Sequence, residues 1–196
     1  MNSIPDTRKA NEQPDPSGSA NPMLQVVLQD LSDLGWTHDV REEDERTVVT
    51  TRVSQNHGAV RAVFDINVSR DRFGIFVYAP LHIPEANRSD VMVYLTRANY
   101  RVYLSKFEFD LRDGELRVVS SVIPAGSTLS VQMVARMRRD ALRVMDVYMP
   151  GVLAIVYGHR TADEAWEALN AEQTDESDVT TAAEAETASS GQAMVE

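Results

Sequence analysis

The sequence has no cysteine and no long apolar run, and these two absences exclude several classes of protein. Without cysteine there is no disulfide framework, no thiolate-ligated zinc or iron–sulfur site and no cysteine nucleophile. No stretch of about 18 apolar residues is present, so no segment is predicted to span a membrane. The first residues, Met1–Asp6, lack the basic and apolar regions of a secretory signal, and we therefore expect a cytoplasmic protein.

Basic residues are scarce, since 19 Lys plus Arg stand against 30 Asp plus Glu and the net charge is −11. This balance argues against nonspecific binding of nucleic acid, which depends on phosphate neutralisation by Lys and Arg. The acidity is unevenly distributed along the chain. Residues 171–196 carry seven acids and no base, residues 1–20 contribute −1, and residues 21–170 keep only −3.

Both ends of the chain are rich in small and polar residues. We expect residues 1–20 and 171–196 to be disordered, because they cannot bury enough apolar surface to offset the entropy of ordering. An alternative for 171–196 is a weak Ala/Glu helix that forms on a partner. Residues 21–170 have the size of one ordinary domain and show no internal repeat.

Helix boundaries in this domain are marked by capping residues. Asn21–Pro22 predicts a helix start and Gly35 its end. Ser130 is expected to cap a long helix that Pro150–Gly151 kinks or divides. Thr161–Glu164 has the capping-box pattern, which predicts a short last helix.

Period-two alternation predicts three successive strands, which are Thr47–Val53, Val60–Val68 and Phe73–Ala79. A tight turn at Arg70–Asp71 would pair Ile66 with Ile75. The loop Ser54–His57, between the first two strands, would place Val49 opposite Ala62. The run Arg41–Arg46 reads as a polar loop.

Asp113–Gly114 predicts a two-residue hairpin with a type I′ turn, in which both residues need positive φ. This register pairs Leu111 with Leu116 inside and Arg112 with Glu115 outside. With a helix from Pro84 to Asn99 before the hairpin, the order is α-β-β-β-α-β-β-α. The predicted class is α+β with an antiparallel five-stranded sheet and its helices on one face.

Three segments of the sequence resemble the YbjN family of bacterial proteins. They are Leu95–Tyr100, the hairpin segment Phe107–Arg117 and the closing Gly158–Ala165. The resemblance covers about residues 22–170. It implies the fold of type III secretion chaperones, a role as a sensory-transduction regulator and no established catalysis.

No constellation of residues indicates catalysis, a metal or a cofactor. His38, His57, His82 and His159 lack metal-ligand spacing, and the acidic run Glu42–Glu45 reads as a solvated loop. Gly-x-Ser-x-Gly, Walker and Gly-x-Gly-x-x-Gly motifs are absent. We therefore predict a protein that is not an enzyme and binds no cofactor.

The predicted registers place Val48, Val63 and Tyr78 in one row on the outer face of the sheet, with Phe76 beside them. An apolar row that helices leave exposed would suit binding of a protein partner or a second copy. The alternative is that the C-terminal helices cover this row.

Arg136, Arg139 and Arg143 share one face of the long helix. They are either a solvated face, partly paired with Asp140, or a dock for an acidic segment such as the chain's own tail. Asn99 either caps its helix in the left-handed conformation or binds a ligand.

The leading hypothesis is a noncatalytic protein-interaction module, chaperone-like or a regulatory adaptor. It would bind a protein or peptide client through the sheet face or edge, with a homodimer as one arrangement and with no nucleic acid or membrane partner. The alternatives are a small-molecule sensor with a pocket between helix and sheet, and an enzyme of unrecognised type.

Overall fold

A computed structural model of the chain describes residues 21–171. The expectations for residues 1–20 and 172–196 lie outside this range. The described residues form ten elements in an α+β arrangement, with one further turn of 3₁₀ helix at Glu85–Asn87. They are α1 (Pro22–Asp33), β1 (Asp39–Glu43), β2 (Arg46–Gln55), β3 (Gly58–Asn67), β4 (Arg72–His82), α2 (Arg88–Arg101), β5 (Lys106–Phe109), β6 (Glu115–Val122), α3 (Val131–Val156) and α4 (162–171).

The strands form one antiparallel sheet in the order β1-β2-β3-β4-β6-β5. Strands β1 to β4 follow one another as a meander, and β6 then lies between β4 and β5. The predicted α+β class with an antiparallel sheet is confirmed. None of the helices among residues 21–171 combines the length and the apolar character that crossing a membrane requires.

One face of the sheet, which we call the inner face, packs against the helices. Its central side chains are fully buried, and they join residues of all four helices in one apolar core. The inner-face members in β3 and β4 are Val60, Ala62, Phe64, Ile66, Phe73, Ile75 and Val77. Burial of this face, at about 25 cal/mol per Å² of apolar surface, is the main stabilising contribution to the sheet.

The sheet has six strands rather than the predicted five, because Arg41–Arg46 is not a polar loop. Strand β1 pairs with β2 through a two-residue connection, Asp44–Glu45, in which Asp44 adopts a positive φ. All five residues of β1 are exposed and four of them are charged. Charged side chains are common on edge strands, where they oppose pairing with another molecule.

The predicted registers of the meander are wrong by two residues. Ile66 faces Phe73 rather than Ile75, and Val49 faces Phe64 rather than Ala62. The β3–β4 connection contains four residues rather than two. The cause is Asn67, whose side-chain oxygen accepts a hydrogen bond from the Arg70 amide at 2.9 Å and holds the wider turn. A shift of two residues keeps every side chain on its predicted face.

The β5–β6 connection is also wider than predicted. Phe109, not Leu111, faces Leu116, and the turn is a four-residue loop closed by a bond from the Gly114 amide to the Asp110 carbonyl. Gly114 alone has positive φ, so the turn is not type I′. A Cβ at Gly114 would lie 2.2 Å from the carbonyl oxygen of Ile83, and this contact explains the glycine.

Helix α3 is continuous across Pro150–Gly151, so these residues do not divide it. Gly151 packs against the ring of Tyr94, where a Cβ would approach to 2.2 Å. The tyrosine hydroxyl donates a hydrogen bond to the Tyr148 carbonyl at 3.2 Å. The glycine therefore lets α2 and α3 approach closely.

Three predicted helix starts are confirmed. The side chain of Asn21 accepts hydrogen bonds from the first turn of α1, and Ser130 does the same for α3. In the capping box, the Thr161 amide donates to Glu164 at 2.8 Å and the Glu164 amide to the Thr161 hydroxyl at 3.3 Å. The bonds from Thr161 hold the pKa of Glu164 below its usual value.

Candidate protein-binding surfaces

The second face of the sheet, which we call the outer face, carries no helix among residues 21–171. Val48, Val63, Phe76 and Tyr78 all lie on it, as predicted, but none of them joins the apolar core. They do not form one row, because Val63 faces Phe76 whereas Tyr78 faces Arg61 and Val48 faces Asp65. Val63 is only 8% exposed, since the neighbouring outer-face side chains cover it.

Arginine side chains lie over the aromatic rings of this face. The guanidinium of Arg61 is 3.8 Å from the ring centre of Tyr78, and that of Arg117 is 4.9 Å from the ring centre of Phe76. Arg117 also donates a 3.2 Å hydrogen bond to the Tyr78 hydroxyl. Such stacking attracts the cation to the ring and leaves the guanidinium edge able to bind carboxylates.

The row that contains Tyr78, which we call the Arg row, is predominantly basic. Across four strands and into β5 it reads Arg52, Arg61, Tyr78, Arg117 and Glu108. Glu108 pairs with Arg117 at 2.6 Å. Within the described part of the chain, no carboxylate pairs with Arg52 or Arg61, which directly face each other.

The second predicted surface lies on α3. Arg136, Arg139 and Arg143 are all exposed on one side of this helix. The expected pairing of Arg136 with Asp140 is not formed, because Asp140 accepts a 2.6 Å hydrogen bond from the Ser105 hydroxyl. This contact brings the loop after α2 alongside the three arginines.

Arg138 has a different role from the other arginines of α3, and sequence reasoning missed it. Its guanidinium forms a two-point ion pair with Asp30 of α1 at 2.7 and 3.1 Å, and it lies 5.0 Å from the ring of Trp36. The two charged side chains are 7% and 4% exposed. Only the packing of α1 on α3 brings these residues together, so no local sequence signal could have shown the pair.

Asn99 does not end its helix in a left-handed conformation, and it lies at the wall of a groove between α2 and β5. Its side chain donates to the carbonyl of Phe107 at 3.1 Å and accepts from the amide of the same residue at 2.7 Å. Phe107 faces Val118 in a pair that is not hydrogen-bonded between β5 and β6. The amide and carbonyl of Phe107 therefore point away from β6. Asn99 thus satisfies the free edge of β5 at this residue.

A groove of about 130 Å³ lies between α2 and β5, and Leu95, Phe107 and Phe109 form its apolar floor. Around its rim, Met92 and Leu111 are exposed, and beyond it Tyr100 and Tyr103 are 93% and 92% exposed. The volume is well below the roughly 300–1,000 Å³ of ordinary small-molecule sites. Sequence reasoning offered a pocket between helix and sheet as an alternative but did not locate it, because no local pattern reveals which helix and strand come into contact.

Comparison with known proteins identifies the family of this chain. The YbjN family model, described as "Putative bacterial sensory transduction regulator", matches residues 24–153. The chain therefore belongs to the YbjN family. No curated protein sequence matches it.

Two solved structures are similar in fold. One is "Crystal structure of YbjN, a putative transcription regulator from E. coli", with 16% identity, a TM-score of 0.46, and coverage of 63% of this chain and 85% of that one. The other is "Crystal Structure of the ExsC-ExsE Complex", with 12% identity, a TM-score of 0.40, and coverage of 62% and 86%. Both scores are below 0.5.

Proposed function

We propose that the chain is a noncatalytic protein-interaction module of the chaperone or regulatory-adaptor kind. Its client is a protein segment that carries acidic and apolar side chains and lies across the outer face of the sheet. One observation carries this proposal: within residues 21–171 a whole face of the sheet has no helix on it, and arginines and aromatic rings line its centre. The family description of a regulator and our expectation of a cytoplasmic location both fit such a role.

The composition of the face defines the client. Tyr and Arg are the side chains that most often dominate binding energy at protein interfaces. Arg52 and Arg61 offer guanidinium donors without a carboxylate partner in the described residues, so an acidic side chain would gain charge-assisted hydrogen bonds there. Phe76 and Tyr78 offer apolar contact beside them.

A client of different sequence is favoured over a second copy of the same face. A symmetric contact would place the Arg row of one copy against the same row of the other, and like charges oppose such an approach. A small-molecule sensor is not favoured, because the groove between α2 and β5 holds about 130 Å³.

A displayed library of random twelve-residue peptides tests the proposal. We expect peptides selected on the intact protein to be enriched in Asp or Glu together with aromatic or aliphatic residues. Arg61→Glu combined with Tyr78→Ala should abolish their binding. Arg160→Glu is the matched control, since Arg160 is an exposed arginine outside the sheet, and this variant should bind normally.

Two outcomes would contradict the proposal. One is selected peptides that bind the double variant as tightly as the unchanged protein. The other is tighter binding of single-stranded oligonucleotides than of acidic peptides, which would make the Arg row a nucleic-acid surface. A thermal melt of each variant must first show the unchanged cooperative transition, so that lost binding is not lost folding.

A further inference from the structure

Four arginines without an acidic partner among residues 21–171 gather at one end of the helical layer. Arg136, Arg139 and Arg143 follow one side of α3, and Arg101 ends α2. The loop after α2 lies against α3 beside these arginines, where the Ser105 hydroxyl donates to Asp140 at 2.6 Å. Burial raises the pKa of Tyr148, and the positive charges of Arg101 and Arg143 oppose this rise. We call these four residues the basic strip.

Helix α4 ends beside this strip. The helix begins at the first turn of α2, where the Ala162 amide donates to Asp90 at 3.3 Å. It ends at the last turn of α2, where Arg101 donates to Asn170 at 2.7 Å and lies 4.4 Å from the ring of Trp166. Residue 171 therefore lies next to Arg101, at the end of the strip nearest Arg143.

The residues that follow supply the opposite charge. The segment 172–178 contains four acids and no base, namely Glu172, Asp175, Glu176 and Asp178. From Arg143 to Arg136 the strip extends about 10 Å along the helix, at 1.5 Å per residue. An extended segment of seven residues spans about 20 Å, so these acids can reach every arginine of the strip.

We propose that the basic strip is a docking surface for residues 172–178 of the same chain. The occupant is already tethered, so its high effective concentration offsets the weakness of exposed ion pairs, which are worth about 0.2–1 kcal/mol each. This inference goes beyond the proposed function, because it concerns a different surface and needs no client. Docking on α3 would also hold the acids of this segment on the helical side of the molecule, away from the Arg row of the outer face.

Paramagnetic relaxation in the full chain tests the proposal. Because the protein has no cysteine, Ser177→Cys creates a unique attachment site for a nitroxide label. We expect the label to broaden the amide signals of residues 136–143 at low ionic strength. The broadening should disappear near 1 M salt, where the Debye length is about 3 Å.

Two sets of substitutions sharpen the test. Neutralising the strip with Arg136→Gln, Arg139→Gln and Arg143→Gln should abolish the broadening, and so should Glu172→Gln, Asp175→Asn, Glu176→Gln and Asp178→Asn. Neutralising the later acids with Glu184→Gln and Glu186→Gln is the control and should leave it in place. The proposal is overturned if residues 136–143 are broadened no more than the exposed turns of α1, or if the arginine variant keeps the effect.

Discussion

The two faces of the sheet are built from the same alternating pattern but differ in burial and composition. In β4, Phe73, Ile75 and Val77 point inward and are fully buried under the helices, whereas Phe76 and Tyr78 point outward and lie beneath arginines. The inner face stabilises the fold through apolar burial, and the outer face presents charge and aromatic surface. Period-two alternation can therefore assign a face to a residue, but only the position of the helices decides which face is core.

The largest loss of stability is expected where α1 and α3, which cover the inner face, are joined by the buried ion pair between Asp30 and Arg138. Asp30→Ala should lower the free energy of unfolding by about 3–5 kcal/mol, because it leaves the guanidinium of Arg138 buried without a counter-charge. Urea denaturation measures the change. The double variant Asp30→Leu with Arg138→Met is the control and should recover most of the loss. A loss of less than about 1 kcal/mol in the single variant would show that water reaches the pair.

Matched substitutions of two phenylalanines on opposite faces of β4 test the difference between the faces directly. Phe73→Ala should cost about 3–5 kcal/mol, since this ring is fully buried in the core. Phe76→Ala should cost less than half as much, because its ring is half-buried and packs only over outer-face groups such as Gly74. Thermal or urea unfolding of the two variants compares them. Equal losses would mean that the outer face is as much a core as the inner one.

The faces of the sheet were predictable from sequence, whereas the registers and the tertiary pairs were not. Ile66 was assigned to the correct face but the wrong partner, since alternation repeats every two residues and only the Asn67 side chain fixes the turn. Strand β1 was missed because it contains one apolar residue, Val40. The caps at Asn21 and Thr161 were predictable because their hydrogen bonds are local.

The same reasoning applies to the candidate surfaces. The four outer-face residues lie on the face that alternation assigned to them but not in the predicted row. The arginines over the rings were missed because they come from neighbouring strands. The basic strip was only partly predictable. Helix periodicity groups the three arginines of α3, but Arg101 joins them through the packing of α2 on α3.

A smaller loss of stability is expected at the free edge of the sheet, along β5. Asn99→Ala should cost about 1–3 kcal/mol, because it leaves the amide and carbonyl of Phe107 without their partner. Hydrogen exchange at the Phe107 amide should accelerate more than exchange at its neighbours in β6. Thr96→Ala, one turn earlier on α2, is the control, and an equal acceleration there would contradict the assigned role of Asn99.

The smallest effect concerns an exposed ion pair beside the β5–β6 turn. Arg112 donates hydrogen bonds to Asp110 and lowers the pKa of this carboxyl from 3.8 to about 2. A folded-state pKa below the unfolded one stabilises the protein above the unfolded pKa, and this contribution is lost as the pH falls through about 2. Carboxyl carbon shifts followed by NMR should show the low pKa, and Arg112→Gln should raise it. An unchanged titration in that variant would assign the shift to the backbone of the turn.

The strand order has a kinetic consequence. Each pair in the β1–β4 meander closes over a short connection, whereas β4 pairs with β6 across the whole of α2 and β5. Closing so long a segment of chain costs more conformational entropy, and this cost is incurred before the contacts between β4 and β6 can form. We therefore expect the meander and the β5–β6 hairpin to form early, and their joining along β4 and β6 to limit the rate of folding.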